Sequence, residues 1–306
     1  FPAAYAETQA EYMASGKATE QEKLVAGCPE YAFNEYLQIG LEQGLVGLAL
    51  FIGWLGLLFY KGIKNKRYAC CGGLMSLAIF AFSSYPLQLP EFWVVLIFLG
   101  VMSVTPDKDE IRENQAESNG HRWGKQIFFM GIAILGIGLF WMQKDHYKAY
   151  QQWNKAQMFY NNKAYEAALE VYEPLYPLLK HKPEFLFEAA QSLSKTGQYE
   201  KANEYLERAV LLSSDPMLYY VMAKNEQCLG EYRQAEKHLL HAIDILPERI
   251  YPYYLLMNLY TEPSYFQPAK LKMAIDSVLT KKPKVESSAI KEMKEKARSM
   301  LNNTSI

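Results

Sequence analysis

Uncharged apolar stretches alternate with short polar loops over the first half of the chain. Residues 45–60 carry no Asp, Glu, Lys or Arg, and the only such residue between positions 68 and 106 is Glu91. The second stretch is too long for one membrane-spanning helix of about 20 residues, and it suits two. Proline cannot continue a helix, so the segment Tyr85–Pro90 separates them. With a further uncharged stretch, the pattern predicts four transmembrane helices, at about 37–60, 68–85, 90–106 and 126–142.

The loops between these stretches differ in charge, which predicts an orientation. The first and third loops are basic, and the Pro86–Glu91 turn holds no Lys or Arg. The basic residues are Lys61, Lys64, Lys66, Arg67, Lys108, Arg112, Arg122 and Lys125. By the positive-inside rule both basic loops are cytoplasmic, so residues 1–44 and all residues after Lys144 are expected outside. A soluble protein with buried apolar helices is the alternative, and the alternation of loop charge argues against it.

The sequence after residue 143 has a different, repetitive pattern. Gly197-Gln198-Tyr199, followed by Ala202, Leu206 and Ala209, recurs 33 residues later as Gly230-Glu231-Tyr232 with Ala235, Leu239 and Ala242. An earlier copy lies at Tyr165, Ala168, Tyr172 and Leu175. Small residues at these positions let two antiparallel helices approach closely. The pattern resembles the tetratricopeptide repeat. Residues 143–306 are therefore expected to form an extracytoplasmic domain of three to four repeats, closed by a polar helix over 285–301. The predicted fold class is all-α.

Composition excludes several other classes of protein and site. The formal net charge of the 306 residues is −1, which gives no indication of nucleic-acid binding. The four cysteines, Cys28, Cys70, Cys71 and Cys228, form no CxxC pair, so neither a zinc site nor a disulfide framework is expected. No cofactor is predicted. Because the sequence begins at Phe1 rather than Met and shows neither a basic leader nor a short apolar leader segment, residues 1–36 are interpreted as the end of an extracytoplasmic loop in a longer protein.

Polar residues gather where the chain passes from water into the first apolar helix. Asn34, Glu35, Gln38 and Glu42 stand within nine positions there. Ionisable groups at a membrane border cost desolvation energy, so such a cluster invites a functional interpretation. The simpler interpretation makes Asn34 a helix N-cap and Glu35 an acid that complements the helix dipole. Glu42 faces either a polar cavity or the lipid headgroups.

In this setting the segment Asn34–Gly47, with its Asn-Glu-x-Leu-Gln and Glu-x-Gly-Leu-x-Gly elements, resembles the closing signature of the O-antigen ligase and polymerase superfamily. The resemblance covers about residues 20–105. It implies a membrane glycosyltransferase that moves a glycan from a polyprenyl-pyrophosphate donor to an acceptor. Asn34 and Glu35 would be catalytic, with Glu35 as the base, and Gln38 and Glu42 would bind substrate. One departure matters: Phe33 stands where many members place a histidine, and it cannot transfer a proton.

The chemistry implied by this resemblance also needs cations for the pyrophosphate. Residues 1–44 hold two lysines and seven glutamates, a net charge of −5 that would repel the donor. A complete active site therefore requires groups from elsewhere.

Two hypotheses follow, and a transporter ranks behind both because residues 45–60 and 68–90 carry no charge. The first is a polysaccharide-assembly enzyme of the bacterial inner membrane, whose periplasmic repeats bind an acceptor glycan or a protein. The alternative is a non-catalytic, membrane-anchored scaffold whose repeats hold partners of an envelope assembly complex. The repeat region has 22 Lys plus Arg and 20 Asp plus Glu, so its overall charge favours no partner.

Overall fold

The structure is a computed structural model that describes residues 1–106, a few positions between 130 and 141, and residues 143–303. The chain folds as two units. The apolar unit consists of Phe1 and Glu30–Lys144, and the repeat unit consists of Pro2–Pro29 and Asp145–Ile306. All regular elements within the described residues are helical, so the all-α prediction is confirmed.

The first apolar helix is longer than predicted and is interrupted. Helix α3 spans Glu35–Lys64, and Asn34 is its N-cap. At Gly44 the backbone has φ 73° and ψ −179°, a conformation that is available almost only to glycine. The helix therefore consists of a short polar first segment and a longer apolar second one. Gly44 therefore forms a kink between these two segments.

Helices α4, Tyr68–Ser83, and α5, Pro90–Val104, pack on each other and on α3. A 3₁₀ turn at Pro86–Gln88 joins them, at the predicted break. Their buried centre consists of leucines: Leu58, Leu74, Leu77, Leu87 and Leu96. Gly62 allows α3 and α4 to approach each other closely, because a Cβ atom there would lie 2.5 Å from Cys71 Sγ.

The prediction of four membrane-spanning helices is supported for one helix only. Among the described residues, α3 alone is long and apolar enough to cross a membrane. Helix α4 has 16 residues and ends just before the proline-rich turn. Helix α5 has 15 residues and begins just after that turn. The span predicted at 126–142 lies outside the continuously described residues.

The repeat unit contains nine described helices after residue 143, arranged as four antiparallel pairs and a terminal helix. The first helices of the pairs are α6 (Lys144–Asn161), α8 (Pro183–Lys195), α10 (Met217–Leu229) and α12 (Ile250–Tyr260). The second helices are α7 (Tyr165–Leu179), α9 (Tyr199–Val210), α11 (Tyr232–Ile245) and α13 (Pro268–Thr280). Helix α14, Ser288–Asn303, packs on α12 and α13 at the predicted capping position.

The repeated sequence positions have repeated structural roles. Ala168, Ala202 and Ala235 are at most 1% exposed, where the second helix of each pair meets its neighbours. The turn within the pair requires a positive φ two residues before the tyrosine, and Lys163, Gly197 and Gly230 have φ 61°, 81° and 79°. Small residues and left-handed turns thus set the spacing of the first three pairs.

Two carboxylates hold neighbouring repeats together. Glu188 of the second repeat accepts hydrogen bonds from Trp153 Nε1 at 2.7 Å, Gln157 Nε2 at 2.9 Å and Tyr172 Oη at 3.0 Å, all in the first repeat. Burial and the adjacent Glu188 raise the pKa of the Tyr172 hydroxyl, which therefore remains a donor. This one side chain satisfies three partly buried donors at the interface between the two repeats.

Glu236 joins the third repeat to the fourth. It accepts hydrogen bonds from Tyr260 Oη, Tyr265 Oη and Lys270 Nζ, each at 2.6 Å. Burial raises the pKa of the Glu236 carboxyl, but the bonds from Lys270 and the two tyrosines outweigh this effect and lower it overall. The carboxylate is therefore stabilised in its charged form.

Residues 1–36, predicted to be the end of an extracytoplasmic loop, contain two helices. Helix α1, Pro2–Ala14, and helix α2, Glu20–Val25, lie in this segment, and α1 packs on α11 of the repeat unit. The hydrophobic pattern of the sequence does not indicate this packing, because α1 contacts the repeats through Ala6 and Ala10 rather than through large apolar side chains. Thr19 and Glu22 form a capping box that fixes the start of α2.

Candidate functional site

The first helices of the repeats form one continuous surface, here called the A face. Helix α8 contacts α10, and α10 contacts α12. Between α8 and α10 lies a groove of about 710 Å³. Its lining is Gln191, Ser194, Lys195, Tyr199, Met217, Val221, Lys224, Asn225, Gln227, Cys228 and Glu262. Apolar side chains, the two lysines and one carboxylate, that of Glu262, which accepts a hydrogen bond from Gln227, therefore share one open groove.

The groove has a fixed floor and two exposed ammonium groups. Asn225 is buried and donates a 2.7 Å hydrogen bond to Asn203 Oδ1, which anchors α10 to α9. Lys195 and Lys224 are exposed at the rim. Lys224 Nζ donates to Tyr251 Oη at 2.5 Å and lies 5.2 Å from the ring centre of that tyrosine. The tyrosine thus orients the ammonium group towards the edge of the groove.

A strip of tyrosines extends the groove along the A face towards α14. The rings of Tyr251 and Tyr254 stack with centroids 6.5 Å apart. Lys296 lies 5.3 Å from the Tyr254 ring, and its Nζ donates to Asn258 Oδ1 at 2.9 Å. The strip presents flat rings and ammonium groups, which suit contact with a chain carrying carboxylates and apolar side chains.

The polar cluster predicted from the sequence lies in the apolar unit. Asn34 Oδ1 accepts the Leu37 N–H at 3.0 Å, and its Nδ2 donates to Phe82 O at 2.9 Å. It therefore caps α3 and ties it to the end of α4. This is the simpler role that the sequence offered for this residue, and a catalytic role stays a prediction.

Glu35 is 1% exposed, and its carboxylate reaches the turn before α5. It accepts the Leu87 N–H at 2.7 Å and a 3.4 Å hydrogen bond from Gln88 Nε2. Both oxygens are thus engaged in joining α3 to this turn.

Gln38 is also buried, and it links the cluster to the preceding loop. Its Oε1 accepts the Ala32 N–H at 2.7 Å, and its Nε2 donates to Glu42 Oε1. Glu42 is exposed, and Phe33, 66% exposed, contacts the Tyr85 ring edge to face. The four predicted residues therefore lie together and brace the start of α3. Within the described residues no group of three His, Cys, Asp or Glu could hold a metal ion.

Sequence reasoning missed the lysine and tyrosine strip as a site. The pairing of Tyr251 with Lys224 and of Tyr254 with Lys296 joins helices that are separate in the chain, so no local sequence pattern reveals it. One signal was present: α12, Ile250–Tyr260, contains four tyrosines and no acidic residue.

Comparisons with known proteins concern the repeats. The family model of the anaphase-promoting complex, cyclosome, subunit 3, matches residues 161–242. The repeat unit is a tetratricopeptide-like domain. No curated protein matches the chain.

Solved structures give distant likenesses to about half of the chain. MamA from Desulfovibrio magneticus RS-1 is 19% identical over 52% of this chain and 98% of that one, with a TM-score of 0.41. The Yersinia enterocolitica type III secretion chaperone SycD, solved with a peptide of the translocator YopD, is 19% identical over 41% of this chain and 90% of that one, with a TM-score of 0.33. Likenesses this distant carry no argument about function. The comparisons give no support to the glycan-ligase resemblance of residues 20–105.

Proposed function

We propose that this chain is a membrane-anchored scaffold whose tetratricopeptide-like domain binds a segment of a protein partner on the A face. The observation that carries the proposal is the groove between α8 and α10, with Lys195 and Lys224 at its rim. Met217 and Val221 supply apolar contact within it. The partner segment therefore combines apolar side chains with carboxylates.

Exposed apolar side chains support the membrane anchor. Leu45 of α3 is 82% exposed, and Phe82 of α4 and Val94 of α5 are each 68% exposed. Exposed apolar surface of this extent is typical of a membrane or partner interface. We place the apolar unit in a bacterial inner membrane and the repeats on the periplasmic side, as the basic loop between α3 and α4 favours.

The repeat unit is built from two segments of the chain, one before and one after the apolar helices, which supports an even number of membrane crossings between them. Residues 2–29 and 145–303 fold together, so both segments lie on the same side of the membrane. An even number of crossings by residues 30–144 satisfies this condition. A membrane-impermeant maleimide tests it on single-cysteine variants in intact spheroplasts. Glu11→Cys and Lys237→Cys should react alike, and Lys64→Cys should not.

Site-specific photo-crosslinking tests partner binding by the groove. A benzophenone side chain at Met217, in the groove, should form discrete adducts with a partner protein in cells. The same group at Leu211, which is 74% exposed and outside the groove, is the control. The double variant Lys195→Glu/Lys224→Glu should abolish the Met217 adducts. Equal crosslinking from both positions, or adducts that survive the charge reversal, would contradict the proposal.

Glycan transfer from a polyprenyl-pyrophosphate donor is the second candidate. It is favoured by the buried Glu35 beside Asn34, Gln38 and Glu42 at the head of an apolar helix, since buried ionisable groups at a membrane border commonly serve function. Glu35→Gln keeps an acceptor for the Leu87 N–H but cannot act as a base. Full glycan transfer by this variant would remove Glu35 from the mechanism, and loss of transfer with a normal fold would support it.

A further inference from the structure

Within the repeat unit, the segment Pro2–Pro29 contacts several of the helical repeats. Gln9, 9% exposed, donates from Nε2 to Ile245 O at 2.8 Å, at the end of α11. The same nitrogen donates to Gly27 O at 3.1 Å and so closes the segment on itself. One amide group thereby joins α1, the residues after α2 and the third repeat.

Further contacts extend from this point in both directions. Glu7 Oε1 accepts a 3.3 Å hydrogen bond from Tyr219 Oη on α10 and lies 3.2 Å from His241 Nε2 on α11. Ser214, in the loop before α10, donates to Pro29 O at 3.4 Å. Lys284, beyond α13, donates to Ala26 O at 3.0 Å. The contacts therefore run from the end of the second repeat to the end of the fourth.

The apolar part of this interface is small and close-packed. Ala6 and Ala10 of α1 are each 4% exposed and pack with Ile245 and Leu246. Helices with small residues at the contact approach closely, so a larger side chain at either alanine would separate α1 from α11. Met13, Cys28 and Tyr219 border the same cluster.

We propose that residues 2–29 are an internal ligand of the repeat domain, a staple that holds repeats two, three and four in one arrangement. In a tetratricopeptide array each repeat contacts chiefly its neighbours, so the curvature depends on small rotations between them. A segment attached at the start of α10, at the end of α11 and beyond α13 restrains these rotations together.

The staple has two consequences for the scaffold. It rigidifies the helix that lines the partner groove, because Tyr219, which bonds to Glu7 of the staple, and Met217 in the groove lie on the same turn of α10. It also gives the repeat unit two covalent connections to the apolar unit, one after Pro29 and one before Asp145.

Hydrogen exchange measured by mass spectrometry on the full chain in nanodiscs tests the staple. Ala10→Arg places a long charged side chain in the α1–α11 contact. Ala4→Arg makes the same change on the exposed side of α1 and is the matched control. In Ala10→Arg, amides of α1, α10 and α11 should exchange about tenfold faster, whereas α7 and α8 should not change. Ala4→Arg should match the wild type throughout.

Two results would overturn the proposal. If Ala10→Arg accelerates exchange in α1 but leaves α10 and α11 unchanged, the segment docks without restraining the repeats. If α1 remains fully protected with arginine at position 10, the close alanine contact does not hold the segment. Neither result depends on the identity of a partner, so both are separable from failure of the groove proposal.

Discussion

Glu35 and Leu87 stand 52 positions apart in the chain, and the Glu35 carboxylate accepts the Leu87 backbone N–H at 2.7 Å. This bond joins the start of α3 to the turn that precedes α5. Because Glu35 is 1% exposed, water cannot replace it in that contact. A residue that the sequence suggests as a catalytic base is therefore also a structural link between two helices.

Glu35→Ala should destabilise the apolar unit, because it leaves a buried N–H without an acceptor. We expect a loss of about 1–3 kcal/mol in the free energy of unfolding. Trp93 donates from Nε1 to Leu87 O at 2.6 Å, so its fluorescence during urea titration in detergent reports on this turn. Glu91→Ala, an exposed acid nearby, is the control. Equal midpoints for the two variants would contradict the structural role.

Gly44→Ala and Gly53→Ala should change the stability of the apolar unit in opposite directions. Gly44 has a positive φ, so a Cβ atom there strains the backbone by about 1–3 kcal/mol. Gly53 lies in the regular part of α3 with open space around it, and alanine there should add up to about 1 kcal/mol through helix propensity. Thermal unfolding of both variants in the same lipid nanodiscs measures the difference. A stabilising Gly44→Ala would exclude the kink.

Lys163→Gly should stabilise the repeat unit. Lys163 has φ 61° at the position that Gly197 and Gly230 occupy in the next two repeats. Glycine relieves the left-handed strain there, by about 1 kcal/mol. Gly197→Ala should destabilise the repeat unit by a similar amount. Lys180→Gly, at a residue with φ −58°, is the control and should not stabilise. The thermal midpoint followed by circular dichroism distinguishes these outcomes.

The contribution of Glu236 should depend on pH. Its folded-state pKa lies below the unfolded value, so it stabilises the fold at neutral pH, and this contribution disappears as pH falls through the lowered pKa. Glu236→Gln should therefore be less stable than wild type at pH 7, and the difference should shrink in acid. Glu231→Gln, which changes an exposed acid just before the same helix, is the control. Urea titrations at pH 7 and pH 3 check this, and a difference independent of pH would contradict it.

Features with a local period were predictable from the sequence. Ala168, Ala202 and Ala235 repeat at helical-hairpin spacing, and the structure buries all three. Asn34 was recognisable as an N-cap because capping involves residues three positions apart. The turn at Pro86–Gln88 followed from its proline.

Features that depend on distant pairing were not predictable. The Glu35 contact with Leu87 leaves no local pattern, and a glycine kink at Gly44 looks like a small residue in a helix. Helix α1 shows no apolar stripe in the sequence, because alanines and a single glutamine attach it to α11.

The staple also constrains the order in which the domain can be completed during synthesis. Gln9 and Ile245 are separated by 236 positions, so the ribosome makes the staple long before its docking surface exists. At roughly 5–20 residues per second, this interval lasts about 10–50 s. During that time the surface on which α1 and α2 dock in the structure is incomplete, and the third and fourth repeats acquire this restraint only after Ile245 and Lys284 have been added.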